Sequence, residues 1–174
     1  GGMLAVLGVK IEDIEKILKD NEKKFNAQIA NDNTDGQIVL SGKNEDLESV
    51  SIFLKDKKIK NIKLPVSAPF HCELMTKATD IMRKELENVD FKKSNNTLIS
   101  NVTADEILDV KDLKNLLISQ IEKKVRWRES IINMVNYGVS QFIEIGPGKV
   151  LSGLIKRINK NVKITSINNQ SDIE

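Results

Sequence analysis

Ala27-Gln28-Ile29-Ala30-Asn31-Asp32-Asn33-Thr34-Asp35-Gly36-Gln37-Ile38-Val39-Leu40-Ser41-Gly42 is the stretch whose reading decides the fold. Residues 27–30 and 37–41 read as two short strands. The polar run from Asn31 to Gly36 between them has the Asn, Asp and Gly density of a turn. Working outward, residues 3–9 form an apolar run bounded by glycines, as a buried strand does. Ile11, Ile14, Ile17 and Leu18 follow at helical spacing, with Glu12 and Asp13 early and Lys23 and Lys24 late, the order a helix dipole favours. Beyond Gly42, Leu47, Val50, Phe53 and Leu54 mark a second amphipathic helix, and residues 60–66 a fourth strand. The order is β-α-β-β-α-β, the split βαβ or ferredoxin-like arrangement.

Past Pro65 and Pro69 the character changes. Residues 71–89 predict a long helix, with Leu74, Ala78, Ile81, Met82 and Leu86 on one side. Residues 98–102 read as a strand, 111–124 and 127–137 as helices, and 142–145 as a strand. A Gly146-Pro147-Gly148 turn then opens a helix over 149–158, and a last strand covers 162–167. Strands alternating with helices imply a parallel α/β sheet. Three strands are few for one, so this half reads as part of a larger sheet. The expected class is α/β (α+β), divided into residues 1–66 and 67–174.

Composition narrows the function. Lys+Arg 27 against Asp+Glu 25 gives a net charge of +2, too little for a field directed at nucleic acid or an anionic membrane. Aromatics are only 4%, and residues 3–9 and 37–41 carry none, which argues against an RNA-recognition surface on the sheet. No apolar run approaches the ~20 residues of a membrane span. The opening Gly1-Gly2-Met3-Leu4 lacks the basic start of a signal peptide, so a cytoplasmic chain is expected. A single cysteine, Cys72, excludes an intrachain disulfide; with a single histidine, His71, it leaves no conventional zinc site.

His71 is the sharpest candidate for chemistry. It follows Leu64-Pro65-Val66-Ser67-Ala68-Pro69-Phe70, a rigid extended approach, and opens the expected helix. An imidazole there can act as general base and then general acid. The competing reading is a surface or capping histidine, against which the two constraining prolines count. Cys72 is adjacent, but neighbours on a helix do not face each other, so it reads as a small buried filler rather than a partner or a hydrolase nucleophile. No Gly-x-Ser-x-Gly elbow occurs. Gly146-Pro147-Gly148-Lys149 could cradle a phosphate at a helix start, but it is not a Walker loop, and a tight structural turn is favoured.

Taken together, these segments resemble the malonyl-CoA:acyl carrier protein transacylase family. The resemblance rests on Gly2-Met3-Leu4-Ala5-Val6-Leu7-Gly8, on Asn31-x-Asn33 with Gly36-Gln37-Ile38-Val39-Leu40-Ser41-Gly42, and on Leu64-Pro65-Val66-Ser67-Ala68-Pro69-Phe70-His71-Cys72. Ile99-Ser100-Asn101-Val102, Gln120 with Val125-Arg126-Trp127, and Glu144-Ile145-Gly146-Pro147-Gly148-Lys149-Val150-Leu151 extend it along the chain. It implies a ferredoxin-like insert followed by the closing part of an α/β-hydrolase-like domain. It implies malonyl transfer from malonyl-CoA to the phosphopantetheine thiol of acyl carrier protein by a serine–histidine ping-pong route, with no cofactor beyond those substrates. His71 matches the family's histidine, and Gln120 the glutamine whose backbone carbonyl orients it. Asn31 and Asn33 match asparagines near the substrate cleft, and Lys60 falls where a basic residue often meets the phosphates.

The family's Gly-His-Ser-Leu-Gly elbow, its oxyanion-hole glutamine and its malonyl-pairing arginine belong upstream of Gly1 in this resemblance. The chain is therefore expected to be the C-terminal part of such an enzyme, partnered by a missing N-terminal part and inactive alone. The alternative is a non-catalytic fragment or carrier-protein-binding module.

Overall fold

A computed structural model describes residues 1–173. Four strands, β1 (Gly2–Leu7), β2 (Ala27–Thr34), β3 (Gln37–Gly42) and β4 (Lys60–Lys63), form one sheet in the order β2-β3-β1-β4. All neighbours in it are antiparallel. Helix α1 (Ile11–Asp20) links β1 to β2, and α2 (Asn44–Asp56) links β3 to β4. Strand β3 thus lies between β1 and β2, as the split βαβ order requires. The register explains the core. Leu4 faces Leu40 and Val6 faces Ile38, and these four meet Ile11 and Ile14 of α1 and Leu47, Val50 and Leu54 of α2. The alternate residues Met3 and Val39 point to the opposite face, where they join Ala30 and Leu64. A sheet apolar on both faces needs a second layer, and two helices of the later chain, Trp127–Asn136 and Val150–Ile158, supply part of it by packing on β2.

Three expectations for this half are corrected. β2 does not stop at residue 30 but runs through the polar residues to Thr34, with register irregularities at Ile29/Asn31 and Asp32/Thr34. Partners from the later chain stabilise this path, so the turn shrinks to Asp35-Gly36, where Gly36 takes φ +85°. β4 ends at Lys63 rather than residue 66. Leu64 still donates to the Met3 carbonyl at 3.0 Å, but Pro65 has no N–H to continue the ladder.

In the second half, the helix expected over residues 71–89 starts later. A 3₁₀ turn at Glu73–Met75 leads into α3 (Thr76–Glu87), and His71 stands outside it with φ +59°. The expected strand at residues 98–102 is reduced to one bridge, Ile99 to Glu106. Ala104, at φ +61°, turns the chain back there and donates to the Ser100 carbonyl at 2.8 Å. Then come α4 (Val110–Ser119), α5 (Trp127–Asn136), β5 (Gln141–Ile145), α6 (Val150–Ile158) and β6 (Lys163–Ile167). β5 and β6 pair in parallel, so among the described residues this sheet has two strands, not three. α6 packs on the side of β5 that carries Phe142 and Glu144. On the other side Ile143 and Ile145 are 55% and 79% exposed. Parallel strands are ordinarily covered on both faces.

Candidate active site

The approach to His71 is seated on Gly1. A Cβ on Gly1 would lie 2.6 Å from Pro69 Cγ and 2.7 Å from the Gly42 carbonyl oxygen, so only a bare backbone lets the proline close against the sheet. Cys72 is buried; its thiol donates to the Pro69 carbonyl at 3.1 Å and receives a contact from the Ser41 hydroxyl at 3.5 Å. It is a packed anchor, as the sequence predicts. Between these two fixed neighbours His71 takes a left-handed backbone, uncommon for residues other than glycine though less so for histidine.

Two carbonyls receive His71. Its Nδ1 lies 2.7 Å from the Gln120 carbonyl oxygen, and its backbone N–H donates to the Ile121 carbonyl at 3.2 Å. Gln120 is the C-cap of α4, a position whose carbonyl has no intrahelical donor to satisfy it. A carbonyl only accepts, so in the neutral ring Nδ1 carries the proton and Nε2 carries the lone pair. The ring borders an open cleft of about 370 Å³ with Gln28, Glu73, Glu122, Lys123 and Lys124. Gln28 accepts the Glu73 N–H at 2.9 Å, and Lys124 lies 3.6 Å from Glu15.

Residues beyond Gln120 tie this corner to the sheet. Val125 donates to the Ala30 carbonyl at 2.8 Å and accepts from Asp32 N–H at 2.9 Å, a parallel bridge along the edge strand β2. Asp32 is 0% exposed and is met by Arg128: Nε is 3.0 Å from both carboxylate oxygens and Nη2 is 2.8 Å from Oδ2. The hydrogen bond to Asp32 holds the Arg128 guanidinium above its ordinary value, against the opposing effect of burial. Nearby, the Arg126 hydrogen bond keeps Glu129 below the usual carboxylate range.

The structure therefore brings His71 and Gln120 into contact. Asn31, which pairs with both Val39 and Val125, and Asn33 are half-buried on the strand tied to the same segment. It does not bring Lys60 there. Lys60 is exposed at the start of β4, on the edge of the sheet opposite β2, and pairs with Leu7, at the far end of β1 from the Gly2–Gly42 pair beside Pro69. Sequence reading missed Asp32 and Arg128. They lie 96 residues apart, and no local pattern couples them.

The Gly-Pro-Gly segment proves to be a filled turn. Gly146 and Gly148 take φ +138° and +93°, and Glu144 accepts the Leu151 and Ser152 amides of α6 at 3.0 and 2.7 Å. A helix start that could hold an anion already holds a carboxylate. Glu144 sits below its usual pKa, through hydrogen bonding from the Ser152 side chain and then from these two amides, with desolvation opposing. Among the described residues no cluster of three His, Cys, Asp or Glu could hold a metal ion.

No protein-family profile matches the chain. It is similar over its whole length to the malonyl CoA-acyl carrier protein transacylase of Bacillus subtilis strain 168, with 41% identity over 176 residues covering 56% of that protein. The crystal structure of the corresponding transacylase from Clostridium perfringens superposes with a TM-score of 0.94 at 39% identity, covering 99% of this chain and 54% of that one. A malonyl-transacylase solved in complex with a type II PKS acyl-carrier protein gives a TM-score of 0.92 at 30% identity, over 99% of this chain and 56% of that one. The chain spans about half the length of the relatives it matches, which is consistent with a C-terminal part.

Proposed function

From a chain homologous end to end to malonyl CoA-acyl carrier protein transacylases, and spanning about half of one, we propose that this protein supplies the base of a serine–histidine acyl transfer. The reaction moves malonyl from malonyl-CoA to the phosphopantetheine thiol of acyl carrier protein, a step of fatty acid synthesis in the cytoplasm. The observation that carries this reading is the 2.7 Å contact of His71 Nδ1 with the Gln120 carbonyl, which leaves Nε2 as the free base. A carbonyl fixes the tautomer and orientation of the ring, the work the third member of a triad performs.

In the first half-reaction Nε2 takes the serine hydroxyl proton as Oγ attacks the thioester carbonyl. The tetrahedral adduct expels the coenzyme A sulfur, which receives that proton, and an acyl-serine remains. In the second half the carrier thiol gives its proton to Nε2, attacks the acyl-serine ester, and the serine oxygen leaves with the proton. The step consumes nothing beyond its two substrates, so no cofactor is required. No Gly-x-Ser-x-Gly elbow lies within residues 1–174, so the serine comes from another segment. The bare Ile143 and Ile145 side of β5 supports a missing partner of this kind, since adjoining strands and helices would cover it. In this reading residues 1–66 form the small subdomain and 67–174 the closing part of the large one. Asn31 and Asn33 contact substrate, and Lys60 has only its charge and exposure to support a phosphate contact. No helix among the described residues is long and apolar enough to cross a membrane.

The test is transfer from malonyl-CoA to holo acyl carrier protein, read by intact mass, with the chain alone and with the N-terminal half of a relative added. Transfer only on mixing supports the split site. Its absence with both parts folded leaves a binding module. Transfer by the chain alone would place the nucleophile within residues 1–174.

A further inference from the structure

The hydrogen bond that orients His71 joins two parts of the molecule that are anchored separately. On the sheet side, Pro69 packs against Gly1, Cys72 touches Ser41, and the Glu73 N–H is held by Gln28 of β2. On the other side, the Gln120 carbonyl belongs to the end of α4. Residues 121–123 fold back on that end, through Ile121 to Ile118 and through Glu122 and Lys123 to Ser119, and the Ile121 carbonyl also accepts the His71 N–H at 3.2 Å. The distance between the imidazole and its acceptor is therefore set by whatever fixes the 120–128 segment against the sheet. Two features do so. One is the backbone bridge of Val125 with Ala30 and Asp32; the other is the ion pair of Arg128, in the first turn of α5, whose Nε–H is shared by both oxygens of the fully buried Asp32.

We propose that the Asp32–Arg128 ion pair is a positioning pair for His71, fixing the segment that carries the Gln120 carbonyl so that Nδ1 keeps its acceptor. The pair touches neither the imidazole nor the carbonyl; it acts through the backbone between residues 120 and 128. Stability alone is a poor account of it, because a buried ion pair recovers by attraction little more than its desolvation costs. The planar guanidinium supplies geometry instead: its Nε–H is shared between both carboxylate oxygens while Nη2 lies 2.8 Å from Oδ2, which restricts the relative orientation of β2 and α5. A lysine or an apolar pair would hold the elements together without that constraint. The inference deepens the reading of His71 as a base, and its test reads the imidazole rather than transfer, so the two fail separately.

His71 is the only histidine, so the imidazole nitrogens of the 15N-labelled full chain report on it without ambiguity. With Nδ1–H fixed on Gln120, one ring nitrogen resonates as proton-bearing and the other as bare, widely separated. In Asp32→Asn and in Arg128→Lys, still folded by circular dichroism, the two resonances are expected to move toward a common value as the tautomers exchange. The double variant Asp32→Leu with Arg128→Met removes both charges of the pair, so it keeps the test available if a single variant does not fold; it too should lose the separation. Leu40→Ala, which weakens the core away from this segment, should lower the melting temperature and leave both resonances in place. Unchanged ring nitrogens in the folded pair variants would overturn the proposal. So would equal movement in Leu40→Ala, since that would make the effect one of general destabilisation.

Discussion

Nδ1 of His71 and the carbonyl oxygen of Gln120 lie 2.7 Å apart across 49 residues of sequence. The acceptor is main chain, which separates the two positions experimentally. In the complemented enzyme His71→Ala should lower transfer by about 10²–10⁴-fold, the usual loss with a general base. Gln120→Ala keeps the carbonyl and should stay within a few-fold of the parent. Comparable losses at both positions, measured by initial rates, would contradict a role carried by the main chain.

The left-handed backbone of His71 makes a second prediction, on stability. Alanine at φ +59° keeps the strain that glycine relieves. Neither variant has an imidazole, so their difference isolates the backbone. His71→Gly should be more stable than His71→Ala by about 1 kcal/mol, read as a higher urea midpoint at equal slope. Identical midpoints would show that the position is not held left-handed in solution.

Glu144 sets a pH dependence. Hydrogen bonds from Ser152 and Leu151 hold its carboxyl below the ordinary glutamate value in the folded state. A group lowered in this way contributes stability above its unfolded value, and that contribution is lost as pH falls through the folded value. Glu144→Gln should therefore be less stable than the parent at neutral pH, and the gap should close as the solution is acidified below the carboxylate range. Thermal midpoints across that range decide it, and a gap that stays constant with pH would exclude the charge as the cause.

The bare side of β5 gives a fourth prediction, one that separates folding from assembly. Ile145, 79% exposed, and Ile143 should accept lysine in the isolated chain at a cost within about 0.5 kcal/mol, as exposed positions do. The same substitutions should abolish transfer on mixing with an N-terminal half, because assembly would then bury an unpaired ammonium. Full transfer by Ile145→Lys would show that the partner does not cover this face.

Much of the architecture was legible because apolar spacing is a local signal. Leu4 and Val6, Ile38 and Leu40, and Leu47, Val50 and Leu54 announce strands and a helix from their own neighbourhoods, and the structure puts them in one core. The errors fall where a distant partner overrode a local preference. Asn31 to Thr34 reads as turn chemistry, yet β2 continues through it because Val125 and Arg128 supply a backbone bridge and a counter-charge from far along the chain. Residues 71–75 look helical by spacing, but the seats of Pro69 and Cys72 force a different backbone before α3 can start. The His71–Gln120 contact was reached only through family resemblance. A backbone carbonyl has no residue type, so nothing in its own sequence marks Gln120 as an acceptor.

The bridge between β2 and Val125 also bears on how such a site could open. Hydrogen bonds run across it in both directions, from Val125 to Ala30 and from Asp32 to Val125, and the histidine's acceptor lies a few residues upstream on the same segment. These hydrogen bonds link the strand bearing Asn31 to the ring, so the two are expected to travel as one jaw. In the proposed reading, a gape that admits substrate would then pivot at the other jaw, between this chain and the part expected to cover Ile143 and Ile145.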